Sequence, residues 1–449
     1  MDNNREQWGS KLGFTLASVG AVIGIGAIWK MPYIAAKTGG GAFFIAFFIL
    51  TFVIVLPILI GEYIIGRSSK GDAIKAYKVL SPQTHWNWVG KLGVLGSSLV
   101  LAIYGIVGGW TLAYIVKVLT GSVSHIDIAQ LSLQFSLTTA NTAIAITGTG
   151  IFILLNILIV SQGVRAGLET VSKIVVPMLF ILLIVLTIRG LTLPNALSAL
   201  GHFLKPDFSA INSETLLLIL GQSFFSLSVG ISLMVTYGSY LNHTINIPKT
   251  SSIIVLLNFF LSILVALAIF PALLSFGLSP DEGPGILFVV LPSIFNQLPF
   301  GTTWFVAFLV MFFVAILSSS FSLLETATAP FINRFKSRPL ATWVVGGIIF
   351  LVAIPATLSF GIWSDITIFG QTIFGAIDYV TTNIIFPIGA LFTAIFVGFK
   401  LPRQALFDEF TSSSGLGRKS FMVWLLLLKY IAPIAIILIF LSATGIISF

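Results

Sequence analysis

Long apolar runs alternate with short polar connectors from residue 11 to residue 446. The runs fall near residues 11–36, 41–66, 89–117, 143–161, 167–189, 212–241, 251–278, 302–332, 341–361, 370–398 and 421–446, eleven in all. A helix needs roughly 20 apolar residues to cross the hydrocarbon of a bilayer, so the pattern predicts an all-α polytopic membrane protein with eleven crossings.

Two of these runs are interrupted. The stretch "SVGAVIGIGAIWKMP", residues 18–32, holds Gly20, Gly24 and Gly26 before a lysine and a proline. The sixth run, "GQSFFSLSVGISLMVTYGSY", is broken around Ser226–Ser232 by serines and Gly230. Backbone that loosens inside lipid must find partners other than lipid. Freed amides at the start of a half-helix attract a carboxylate. Freed carbonyls suit a small hard cation or an ammonium group. A competing reading of the first stretch is close helix packing through small residues, because Gly20 and Gly24 have GxxxG spacing. The two interruptions take matching positions in two five-span halves, which is how transporters built from inverted repeats place a midplane site. That pairing favours broken helices.

Composition supports the membrane reading. Of 449 residues, 57% are hydrophobic and 8% charged, whereas soluble chains carry roughly 25% charged residues. Without cysteine the chain has no disulfide, catalytic thiolate or cysteine-ligated metal. The net charge of +8 points to membrane topology, not nucleic acid. With a cytoplasmic N-terminus, only Lys37, Lys117, Arg189 and Lys205 fall on the outside. Arg5, Lys11, Arg67, Lys70, Lys75, Lys78, Lys91, Arg165, Lys249, Arg334, Lys336, Arg338, Lys400, Arg403, Arg418 and Lys419 fall inside, a positive-inside bias. The opening "MDNNREQW" lacks a signal-peptide pattern. We expect one transmembrane domain over 1–449: a first repeat at about 10–190, a second at about 211–398, and an extra helix at about 421–446.

Several segments carry a family resemblance. "REQWGSKLGFTLASVGAVIGIGAIWKMPY", "GGGAFFIAFFI", "LPILIGEYIIGR", "YGIVGGWTLAY", "GQSFFSLSVG", "TYGSY", "FGLSPDEGPGILFVVLP" and "AILSSSFSLLETA" resemble, in order, segments of the neurotransmitter:sodium symporter family, in its bacterial amino-acid branch. The resemblance implies a 5+5 inverted repeat with unwound helices 1 and 6. It also implies sodium-driven uptake of an amino acid across a bacterial cell membrane by alternating access.

By this resemblance, the amides of Ile25 and Gly26 and the Tyr104 hydroxyl receive the substrate carboxylate. Carbonyls at Val22, Phe225 and Ser226, with the Ser228 hydroxyl, receive its ammonium. Gly24 stands where the monoamine branch has aspartate, leaving room for a substrate with its own carboxylate. Val100, Phe225, Ile231, Ser319 and Leu323 would line an uncharged side-chain pocket. A charged substrate side chain would sit there unpaired at a cost of several kcal/mol, so the expected substrate is a neutral aliphatic or aromatic amino acid.

One sodium site is implied at Gly20, Ile23, Ala315, Ser318 and Ser319. A second, at Val22, Ser226 and Asn258, lacks a ligand because Ala27 stands where the family has asparagine. Single-sodium coupling therefore stays open. Gln222, Ser226 and Ser262 match a chloride set, but Phe47 replaces its tyrosine donor. Lys30 and Asp378 would form the outer gate, with lysine in place of arginine making it looser or water-mediated. Arg5, Trp8 and Tyr240 resemble an inner latch whose acidic partner is replaced by Asn333, which implies easier inward opening. Glu62 and Glu325 are buried carboxylates; proton coupling through one of them is the alternative drive, and a non-transporting amino-acid receptor is the alternative class. The four histidines, His85, His125, His202 and His243, lie outside the spans or near their ends, which argues against an intramembrane enzyme. The pattern leaves the oligomeric state open.

Overall fold

The computed structural model describes residues 6–123, 128–192, 196–275, 286–295, 299–443 and 447. The chain enters on α1 (Lys11–Val22), where Ser10 caps the helix by accepting from the Gly13 amide at 3.0 Å. The helix stops at Ile23, which is extended (φ −93°, ψ 104°). It resumes when the Ile28 amide donates to the Gly24 carbonyl at 3.2 Å, and continues into α2 (Met31–Lys37), with Pro32 in its first turn.

The next helices are α3 (Gly41–Ser69), α4 (Asn87–Leu119), α5 (Thr142–Ser161) and α6 (Val164–Leu191). A second interrupted pair follows, α7 (Ser213–Leu227) and α8 (Leu233–Ser239). The rest are α9 (Ile247–Phe270), α10 (Gly301–Phe335), α11 (Arg338–Leu358), α12 (Ile373–Lys400) and α13 (Arg418–Leu438). Among the described residues nine helices, α3–α6 and α9–α13, are long and apolar enough to cross a membrane; α1 and α7 are shorter apolar helices. The two runs read as interrupted are the two that fall short.

The second interruption has a specific backbone cause. Ser228 (φ +51°) and Ser232 (φ +55°) are left-handed, and Gly230 lies at φ +100°, where only glycine sits without strain. A Cβ on Gly230 would also overlap the Phe386 carbonyl of α12. The freed Gly230 amide donates to Glu62 Oε1 of α3 at 2.8 Å, so Glu62 holds the unwound segment in place.

Around the breaks the helices pack tightly. Gly66 of α3 and Gly238 of α8 let two backbones touch. α10 packs along α4, α6 and α1, and nearly every residue from Val314 to Thr328 is buried. Outward faces of α6, α11 and α13 leave Ile174, Ile181, Leu351 and Val423 exposed, as lipid-facing helices do. A two-stranded hairpin, Thr367–Ile368 with Gln371–Thr372, precedes α12.

Candidate functional site

The two breaks meet beside α4 and α10. The Tyr104 hydroxyl of α4 faces the amides of Ile25 and Gly26 and the Ser319 hydroxyl. A Cβ on Gly24 would overlap that hydroxyl, and one on Gly26 would strike the Phe225 ring. Gly24, Ile25, Gly26, Tyr104, Phe225 and Ser319 therefore lie together in one cluster. Its donors converge because the resumed helix begins with amides that lack intrahelical partners. Val100 lies one turn before Tyr104, and Leu323 one turn after Ser319, so each shares its neighbour's face. Ile231 packs against α4, where its carbonyl accepts from Ser97 Oγ at 3.1 Å. All three apolar residues are buried, as are Val22, Phe225, Ser226 and Ser228.

Cation chemistry gathers at two places. Ser318 Oγ donates to the Gly20 carbonyl at 3.0 Å and to the Ala315 carbonyl at 2.8 Å. Three of the five expected sodium ligands thus share one hydroxyl-centred cluster between α1 and α10. Ser319 Oγ donates instead to the Ala21 carbonyl at 2.8 Å, one residue from the expected set. Ile23, the remaining member, is the extended residue at the break itself. At the second place, Asn258 Nδ2 donates to Ser226 Oγ at 2.7 Å. Asn258 Oδ1 is buried and finds no hydrogen-bond partner among the described residues, an arrangement rare in folded proteins and suited to a cation ligand.

The residues read as gates make direct contacts on either side of the two breaks. Lys30 Nζ meets Asp378 Oδ1 at 2.7 Å, approaches Thr382 Oγ1 at 3.4 Å, and lies 4.3 Å above the Phe225 ring. The contact between Lys30 and Asp378 is direct. At the other end Trp8 Nε1 donates to the Tyr237 carbonyl at 3.1 Å, and the Trp8 amide to the Tyr240 carbonyl at 3.3 Å. The indole packs edge-on against both tyrosine rings. Arg5 lies outside the described residues.

The model of the Sodium:neurotransmitter symporter family matches residues 5–132 and 130–448. The chain belongs to this family. It is 44% identical over 444 residues to an uncharacterized sodium-dependent transporter of Bacillus subtilis, covering 99% of this chain and 98% of the relative. It is 34% identical to one from Haemophilus influenzae, covering 98% of each. Its structure matches a crystal structure of MhsT in complex with L-phenylalanine with TM-score 0.91 and 36% identity, covering 98% of this chain and all of that one.

In this symporter the inner latch differs from expectation. Asn333 is exposed, and the ion pairing runs elsewhere. Arg338 Nη1 meets Glu325 Oε2 at 2.6 Å, and Arg338 Nε meets Glu6 Oε1 at 2.9 Å. The Tyr240 hydroxyl donates to Glu325 Oε1, and the Val164 amide donates to Glu6 Oε2 at 2.6 Å. Glu169 adds a second clasp, accepting from the Gly9 amide at 2.5 Å and Ser10 Oγ at 2.8 Å while pairing with Lys173 at 2.6 Å. Glu6, Glu169 and Arg338, which make these contacts, were not singled out from the sequence. Their signal was the buried Glu325, which needs a cation and finds it just past the end of α10.

The chloride residues are otherwise engaged. Gln222 Nε2 donates to the Gly26 carbonyl at 2.8 Å, and Ser262 Oγ to the Asn258 carbonyl at 2.8 Å. Phe47 stacks on Phe43 and Phe259. Gln222 instead ties α7 to the resumed first helix, and Ser262 bonds back to its own.

Proposed function

We propose that the chain is a sodium-coupled symporter that imports a neutral hydrophobic L-amino acid by alternating access across a bacterial cell membrane. The observation that carries this reading is the junction of the Ile25 and Gly26 amides with the Tyr104 hydroxyl, beside a glycine with no room for a side chain. Three donors so placed suit a carboxylate. The carbonyls ending α1 and α7, with the Ser228 hydroxyl, suit the ammonium. Val100, Phe225, Ile231 and Leu323 supply an uncharged wall for the side chain. L-Phenylalanine in the related MhsT structure supports a substrate of this kind.

The eleven crossings are counted as the nine long helices plus the two interrupted pairs, within one domain. The interrupted pairs open the two halves of a 5+5 inverted repeat, and the N-terminus is cytoplasmic. One sodium ion binds where Ser318 joins Gly20 and Ala315, with Ile23 and Ser319 completing the shell. A second binds at Asn258, Ser226 and Val22 with the substrate carboxylate; its support is the orphan Asn258 Oδ1. The absence of an amide at Ala27 makes it the weaker site. Import releases the Lys30–Asp378 contact and the Glu6–Arg338–Glu325 latch in turn, so that the site opens to one side at a time.

The test is uptake into proteoliposomes under an imposed sodium gradient, with choline replacing sodium across a pH series. Accumulation of leucine-like or aromatic amino acids that vanishes in choline supports the proposal. Accumulation that follows a proton gradient in choline would move the drive to Glu62 or Glu325. Binding without accumulation would make the chain a receptor.

A further inference from the structure

The groove between α12 and α13 holds two cations that the transport path does not use. Lys429 lies near the middle of α13, where an ammonium is costly unless it finds a counter-charge or water. Among the described residues it forms no ion pair. Its stem lies against Gly398, where a Cβ would come within 3.1 Å of Lys429 Cα and Cβ. Its Nζ lies 4.4 Å over the Phe399 ring and 5.6 Å from the Tyr430 ring centre. Arg403, which opens the short helix Arg403–Thr411, lines the same groove. Its one hydrogen-bond partner among the described residues is the Met422 thioether, a weak acceptor. The carboxylates of that helix are engaged elsewhere: Asp408 accepts from Gln404 at 2.8 Å, and Glu409 pairs with Arg67 at 2.5 Å.

The rest of the groove is apolar, lined by Leu401, Leu406, Leu425 and Leu426, with a volume of about 520 Å³. Two unpaired cations beside a leucine wall, on a face turned to lipid, ask for an anion that carries a hydrocarbon chain. We propose that this groove binds one anionic phospholipid, with its phosphate held by Lys429 and Arg403 and an acyl chain along the leucines. A zwitterionic lipid would bring an ammonium of its own and leave positive charge unbalanced. A free phosphate would leave the leucine wall uncovered. The positive-inside orientation puts the groove in the cytoplasmic leaflet, where anionic lipids attract basic side chains by about 1 kcal/mol each.

The full chain is purified in detergent and titrated with phosphatidylglycerol, or with phosphatidylcholine of the same acyl chains, and retained lipid is counted by native mass spectrometry. One phosphatidylglycerol is expected to be retained in preference to phosphatidylcholine. Lys429→Gln and Arg403→Gln should each weaken it about fivefold and the pair about 30-fold, while Lys429→Arg keeps it. Equal retention of the two lipids, or phosphatidylglycerol binding unchanged in the double variant, overturns the proposal. So does binding of glycerol phosphate as tightly as the whole lipid. The unaltered protein gives a second readout should the variants fail to fold. Phosphatidylglycerol with a photoreactive acyl chain should label α13 around Leu425 and Leu426, and labelling spread evenly over the lipid-facing helices overturns the assignment.

Discussion

The Lys30 ammonium lies 2.7 Å from the Asp378 carboxylate, and the same ammonium caps the Phe225 ring at 4.3 Å. One side chain thus joins α12 to the Phe225 ring of the candidate site. Both partners are partly exposed, at 19% and 32%, so solvent screening keeps the pair itself near 1 kcal/mol or less. The cation–π contact adds about 0.5–1 kcal/mol. Lys30→Gln, which removes about 2 kcal/mol at most, should therefore speed release of bound amino acid to the outside by up to about 30-fold, and Lys30→Arg should restrain it. Radiolabelled substrate dissociation measures this. An unchanged release rate in Lys30→Gln would remove the pair from the gate.

Under the proposed function, carboxylate recognition depends on Tyr104 and on the missing side chain at Gly24. A hydrogen bond to a charged group is worth about 1.5–3 kcal/mol, so Tyr104→Phe should weaken amino-acid binding by at least about tenfold. Gly24→Ala should do at least as much, because its methyl overlaps the hydroxyl that Tyr104→Phe removes. In the double variant part of the loss from Gly24→Ala should be recovered, since the clashing oxygen is gone. Equilibrium binding of leucine and phenylalanine to the four proteins checks both the losses and their coupling.

Much of this arrangement was legible in the sequence, residue by residue. Gly24 and Gly230 announced their breaks because two apolar runs in matching positions of the two halves each carry weak helix formers at mid-span. Gly20 was legible only as one of a group. It stays helical, and its missing side chain makes room for Val176 and Ser318, so small-residue packing and chain breaking occur four residues apart. The inner latch was not legible. Glu6 and Arg338 stand 332 residues apart, and no helical period links them. Asn333 invited the inference of a lost ion pair, but the left-handed turn at Lys336 (φ +51°) starts a new helix and brings in Arg338 instead.

Sodium dependence should divide unequally between two neighbouring serines. Ser318 bridges the Gly20 and Ala315 carbonyls, whereas Ser319 donates to Ala21. Ser318→Ala should weaken sodium activation of substrate binding by about tenfold, a loss of about 1.4 kcal/mol. Ser319→Ala should cost less in sodium affinity and more in substrate affinity, because Ser319 also faces Tyr104. The double variant should lose sodium dependence. Sodium titrations of substrate binding provide the comparison, and unchanged sodium affinity in the double variant would end the assignment of these hydroxyls.

The second ion site turns on one oxygen. Asn258→Leu removes the orphan Oδ1 and the donor to Ser226 together. If that oxygen serves a sodium ion that touches the substrate carboxylate, the variant should weaken sodium and amino-acid binding together. A purely structural amide would lower thermal stability and leave the sodium concentration dependence of the remaining binding unaltered. Ala27→Asn, which supplies the amide that the family resemblance implies at this position, should sharpen the sodium dependence; Ala27 is buried, so its melting temperature is measured alongside.

In the proposed transport cycle the Glu6–Arg338–Glu325 contacts set the balance between inward-open and closed states through charges of unequal burial. Glu325 is buried and shares Arg338 with Glu6, which is 43% exposed. Removing one partner of a buried pair costs about 3–5 kcal/mol, because the other charge stays behind without compensation. An exposed partner contributes about 0–1 kcal/mol. Glu325→Gln should therefore shift the protein strongly toward the inward-open state or lower its melting temperature by several degrees, while Glu6→Gln does little by itself. The native chain has no cysteine, so a single cysteine at the buried Tyr237, whose carbonyl holds Trp8, reports inward opening without background. Its labelling rate should rise in Glu325→Gln and stay near the parent rate in Glu6→Gln. Equal rates in the two variants would mean that Arg338 does not hold the latch through Glu325.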